Sequence, residues 1–115
     1  MPDDLRISAE DVRKRMEAGE DFVVIDTRNP QAWAQSDVKL PEAIRVPADK
    51  LEEHLAEIPK NKSVVAYCTL PNEGSSASLA QKLRQRGYAN AFALQGGLDA
   101  WKKAGLPLES KPKSA

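Results

Sequence analysis

The sequence predicts an α/β domain: a mostly parallel sheet of four to five strands with helices on both faces. Two continuous apolar runs, FVVI at 22–25 and the longer SVVAY at 63–67, suit strands covered on both sides, as in parallel sheets. Between them lie segments whose apolar residues recur at i, i+4, the spacing of one helix face. The two kinds of segment alternate in the order α-β-α-β-α-β-α-β-α, the pattern of a sheet with helices packed on it.

The first helix is expected from Ser8, which opens a capping-box-like S-A-E-D with Asp11 in place of the usual Glu, to Gly19 as a C-cap. Val12 and Met16 share a face of it. FVVI follows as a strand. Asn29-Pro30 reads as N-cap and first residue of a short helix through Trp33. Ala43 to Val46 is a short strand closed by Pro47, and Asp49 to Ile58 a helix with Leu51, Leu55 and Ile58 on one side. SVVAY is the next strand. A helix from Ser75 to Arg86 turns Leu79, Ala80 and Leu83 inward, and Gly87 ends it. AFAL at 91–94 is another strand, and Gly96-Gly97 opens a last helix carrying Trp101.

At 115 residues the chain suits one domain, over 1–108, with a polar, flexible tail over 109–115. Seventeen basic and seventeen acidic residues cancel (17 Lys+Arg, 17 Asp+Glu), which argues against a nucleic-acid partner. No apolar run approaches the roughly 20 residues of a membrane span. The start, MPDDLRISAEDV, has no apolar core of the kind a signal peptide needs, so a cytoplasmic location is expected. One cysteine and one histidine leave no basis for a disulfide, a CxxC pair or a metal site, and no cofactor is expected. Gly96-Gly97 lacks the spacing of a phosphate-binding glycine loop.

The single cysteine, Cys68, is the first residue after a strand, and the loop behind it leads into a helix N-terminus. In open α/β sheets, ligands bind at the carboxyl ends of strands. Free amides and the positive end of a helix dipole favour a thiolate, the nucleophilic form. Equally, a lone cysteine in a folded domain is often inert packing. The local pattern leaves both readings open.

Five motifs in order resolve more. VVIDTRNPQAW (23–33), LPEAIRVP (40–47), VVAYC (64–68), SSASLAQKLRQRGY (75–88) and ALQGGLDAWKKAGLPLE (93–109) together resemble a single-domain rhodanese-homology protein over nearly the whole chain. That resemblance implies a rhodanese-like fold. It also implies that Cys68 takes a sulfane sulfur from a donor such as thiosulfate, holds it as a persulfide and passes it to cyanide or a thiol. Donor and acceptor would be small molecules or proteins, and the donor would be bound by the loop Thr69, Leu70, Pro71, Asn72, Glu73, Gly74 and Ser75.

The chain departs from the family's pattern in that loop. The usual loop runs from the cysteine through four residues to an arginine. Here T-L-P-N-E-G separates Cys68 from Ser75, which stands in the arginine's place, and the insert resembles a less common Pro-Asn-Glu variant. Asp37 and Glu42 replace a histidine and a glycine common in the second motif. An arginine contact to an anionic donor is worth ~1.5–3 kcal/mol, against ~0.3–1 for a helix terminus. Loss of the arginine therefore predicts weak use of thiosulfate, by roughly tenfold to a hundredfold. The same absence argues against phosphatase or arsenate-reductase chemistry, which needs a bidentate clamp on a tetrahedral oxyanion. It leaves a non-catalytic docking or regulatory module as the alternative to sulfur transfer.

Other residues have plainer expected duties. Ser75 or Ser76 caps the helix; Asp26 and Arg28 form a structural polar pair at a strand end. His54, among Glu52, Glu53 and Glu57, is a solvated surface residue, and Trp33 and Trp101 pack in the core.

Overall fold

The computed structural model describes residues 5–28, 38–40, 43–46, 51–68 and 74–110. Its centre is a five-stranded, all-parallel sheet. The strands are β1 (Arg6–Ile7), β2 (Phe22–Asp26), β4 (Ile44–Arg45), β5 (Ser63–Tyr67) and β6 (Ala91–Leu94), in the spatial order β1-β6-β5-β2-β4. Among the described residues, four α-helices accompany it: α1 (Ala9–Glu17), α2 (Leu51–His54), α3 (Gly74–Gln85) and α4 (Gly97–Lys103). A separate antiparallel pair joins β3 (Val38–Lys39) to β7 (Glu109–Ser110).

The strands read as apolar runs because both faces are covered. Along β5 the side chains alternate between two cores. Val64 and Ala66 join Leu51 of α2 and Leu79, Ala80 and Leu83 of α3 on one face. Val65 and Tyr67 join Ala9 and Val12 of α1 and Leu98 and Trp101 of α4 on the other. Leu79 and Leu83 have no exposed surface; burial of each contributes about 1.5–3 kcal/mol.

Helix ends follow the residues expected to make them. The Ser8 side chain accepts the Asp11 amide at 3.0 Å. Gly19 (φ 99°) and Gly87 (φ 98°) adopt the left-handed conformation that closes a Schellman motif. In the second, the Tyr88 and Gly87 amides donate to the carbonyls of Leu83 and Arg84 at 3.0 and 3.2 Å.

Several expectations change. Of the helix expected over 49–58, Asp49 and Lys50 lie outside the described residues, Leu51–His54 is α-helical, and Leu55–Glu57 tightens to a 3₁₀ turn. Pro59 is the reason: a residue before proline avoids the helical region, and Ile58 is extended (φ −110°, ψ 108°). Met16 does not share the burial of Val12; it is 37% exposed and edges a surface groove. α3 begins at Gly74, so Ser75 and Ser76 lie inside its first turn rather than ahead of it. Glu109 and Ser110, expected in the tail, are strand-paired with Lys39 and Val38. Asn29 to Trp33, Asp37, Glu42 and the last five residues, 111–115, lie outside the described residues.

Candidate active site

Cys68 follows the last residue of β5, the middle strand of the sheet, and is 2% exposed. Its main chain is held from two directions. On one side, the carbonyl of Tyr67 accepts the amide of Thr27 at 2.9 Å and the Thr27 hydroxyl at 3.0 Å. On the other, the Leu98 amide in the first turn of α4 donates to the Cys68 carbonyl at 3.0 Å. Cys68 belongs to neither of the two apolar clusters that build the core.

Beside it lies a buried polar cluster. In the sheet register Tyr67 stands opposite Asp26, so the phenol and the carboxylate share a face. The Tyr67 hydroxyl donates to Asp26 Oδ2 at 2.9 Å. Arg28 grips the same carboxylate as a fork, Nη2 to Oδ2 at 2.7 Å and Nε to Oδ1 at 3.0 Å, while its backbone amide also donates to Oδ1 at 3.0 Å. Such bidentate pairs are the stronger kind of charge-assisted hydrogen bond. The cluster reaches outward to β3: Arg28 Nη2 donates to the Val38 carbonyl at 3.1 Å, and the Leu40 amide donates to the Tyr67 hydroxyl at 3.3 Å.

Electrostatics inside the cluster are mutually supporting. Burial alone would lower the Arg28 pKa, but hydrogen bonds to Asp26 and its charge outweigh this and leave it raised. Burial, then the charge of Asp26, pushes the Tyr67 phenol well above its ordinary value, so it stays protonated and a donor. The pair expected between Asp26 and Arg28 is present. Tyr67 and Thr27, which complete it, are not among the residues the sequence singles out; Tyr67 reads there as one apolar residue of SVVAY. The signal available was a hydroxyl at each strand end, Thr27 between an acid and a base and Tyr67 directly before the cysteine.

Of the expected donor-binding loop, Thr69, Leu70, Pro71, Asn72 and Glu73 lie outside the described residues, and Gly74 and Ser75 are the first two residues of α3. Among the described residues no three of His, Cys, Asp and Glu gather to hold a metal ion. No described helix is long and apolar enough to cross a membrane. His54 pairs with Glu57, Nδ1 to Oε2 at 3.0 Å, on the α2 segment. Trp101 is buried, its indole donating to the Pro107 carbonyl at 2.7 Å.

A buried cysteine at the carboxyl end of the middle strand can be compared with known proteins. The family model of the rhodanese-like domain matches residues 8–104. The chain belongs to the rhodanese-like family. A protein of Allochromatium vinosum named sulfurtransferase is 33% identical over 102 residues, 89% of this chain and 92% of that one. The thiosulfate sulfurtransferase GlpE of Coxiella burnetii is 31% identical over 82 residues, 71% of this chain and 73% of that one. In longer relatives the match is partial: the chain spans 25% of MoeZ of Mycobacterium tuberculosis, at 30% identity over 103 residues. Among solved structures, a Lactobacillus plantarum protein superposes with a TM-score of 0.76 at 31% identity, covering 91% of this rhodanese-like chain and 87% of the other. The family and the sulfurtransferase-named relatives support a sulfurtransferase role.

Proposed function

We propose that this rhodanese-like protein is a sulfur carrier that forms a persulfide on Cys68 and passes the sulfane sulfur to a thiol or cyanide. The observation that carries this reading is the place of the chain's one thiol, at the end of the middle strand with its main chain tied on both sides. The Cys68 thiolate attacks the outer sulfur of a donor R–S–S⁻. The donor's S–S bond breaks, R–S⁻ leaves with the electron pair, and Cys68–S–S⁻ remains. An acceptor thiolate then attacks that outer sulfur, forms its own persulfide and returns the Cys68 thiolate. Charge balances at each step, and no outside oxidant or reductant is required.

Serine at position 75 and glutamate at 73 favour a donor recognised by its approach rather than by its charge, such as a protein or low-molecular-weight persulfide in the cytoplasm. Thiosulfate is expected to be a poor donor. Ser75→Arg should raise the rate with thiosulfate roughly tenfold to a hundredfold; comparable turnover in the two proteins would contradict this. The wider reading is tested by mass spectrometry after incubation with sulfane donors. One added sulfur is expected on the wild type and none on Cys68→Ser. No adduct with any donor would favour the docking module that the missing loop arginine also fits.

A further inference from the structure

We propose that Thr27 is a positioning residue for Cys68, an inference that rests on the sulfur-transfer reading above. Thr27 follows β2, is 1% exposed, and lies 40 residues before Tyr67, whose carbonyl it holds twice. That carbonyl belongs to the peptide joining Tyr67 to Cys68.

The two bonds have different standing. The 2.9 Å bond from the Thr27 amide continues the ordinary parallel ladder between β2 and β5, and any residue except proline would supply it. The 3.0 Å bond from the hydroxyl is additional. A carbonyl oxygen has two lone pairs and takes both donors. Valine would fill the same buried space with the same branching and leave the ladder intact, so neither burial nor sheet pairing demands a hydroxyl here. The second donor restrains rotation of the peptide plane from which the Cys68 side chain projects. Leu98 pins the next carbonyl, that of Cys68 itself, at 3.0 Å. The α-carbon bearing the thiol therefore sits between two anchored carbonyls, one tied to the end of β2 and the other to the start of α4. Thr27 is itself fixed, because its neighbours Asp26 and Arg28 are locked to each other and to Tyr67.

A competing account has the hydroxyl bonding the nearest carbonyl merely to satisfy itself. The two separate in Thr27→Val, which leaves the carbonyl its amide donor and so removes the restraint with little loss of stability. Single-turnover persulfide formation on the full chain should slow roughly threefold to tenfold, with the donor concentration dependence and the melting temperature nearly unchanged. Thr27→Ser, which keeps the hydroxyl, should return to within about twofold of the wild type. Equal rates for valine and wild type overturn the proposal, as does a loss that tracks melting temperature and that serine fails to restore. Alkylation of Cys68 by iodoacetamide separates this from failure of the sulfur-transfer reading. If the wild type accepts no sulfur, that reading falls, and slower alkylation of the valine variant, restored by serine, still supports Thr27. Unchanged or faster alkylation overturns the Thr27 proposal.

Discussion

At the carboxyl end of the sheet, Asp26, Thr27, Arg28 and Tyr67 are each no more than 1% exposed and each hydrogen-bonds to another of them or to nearby backbone. Toward the amino end, charges stay in water. Arg15 and Glu20 face each other at 3.6 Å with side chains 43% and 34% exposed, close to a groove of about 550 Å³ lined by Met16, Phe22, Trp101, Leu106 and Pro107. The contrast is one of consequence. Water replaces a lost partner at the amino end. At the carboxyl end a lost partner leaves a buried group unsatisfied, next to Tyr67, whose chain neighbour carries the thiol.

The sharpest way to break this contrast is Asp26→Ala. It leaves the buried Arg28 guanidinium without its carboxylate and is expected to cost about 3–5 kcal/mol in urea unfolding. A cost under about 1 kcal/mol would mean that the carboxyl end tolerates loss as the surface does.

A smaller effect is expected from Tyr67→Phe, about 1–3 kcal/mol at neutral pH, because Asp26 loses a donor and the Leu40 amide an acceptor. The same variant has a signature in pH. Burial, and then the Asp26 charge, raise the folded-state pKa of Tyr67 above its ordinary 10.0. Above that value the unfolded phenol gives up its proton while the folded one keeps it, so the unfolded state binds fewer protons and stability falls as pH climbs. The contribution is complete below pH 10 and is lost above it. Phenylalanine should flatten that decline in unfolding measured from pH 8 to 11, leaving a residual slope from Tyr88, which burial also raises. Parallel declines in the two proteins would remove Tyr67 from the account.

The smallest effect belongs to the amino end. Arg15→Ala gives up an exposed ion pair and a contact over the Phe92 ring at 5.2 Å; the expected loss is no more than about 1 kcal/mol, shrinking further in salt. A loss comparable to that of Asp26→Ala would erase the difference between the ends.

Much of the scaffold is written in neighbouring residues. FVVI and SVVAY announce β2 and β5 because each run must survive burial on both faces. Ser8, Gly19 and Gly87 mark helix ends because caps depend on residues within a turn. The failures have equally local causes or none. Pro59 shortens α2 by a rule visible in the sequence. By contrast, β1, β3 and β7 are two-residue strands, too short for any periodicity to show, and exist only because a partner lies beside them. In the site, the place of Cys68 after a strand was legible, as was the Asp26–Arg28 pair, two residues apart. The roles of Tyr67 and Thr27 were not, since each is defined by a partner about 40 residues away.

The sequence by itself determined the longer strands, the helix ends marked by Ser8, Gly19 and Gly87, and that the only thiol follows a strand of a rhodanese-like chain, because local periodicity, caps and ordered motifs are properties of adjacent residues. Tertiary structure alone decided that this strand lies in the middle of the sheet, that its tyrosine shares a carboxylate with Arg28, and that Thr27 and Leu98 hold the carbonyls on either side of the thiol-bearing carbon. The physical reason is register. Which hydroxyl meets which carbonyl depends on how two distant strands align, and no single strand carries that information.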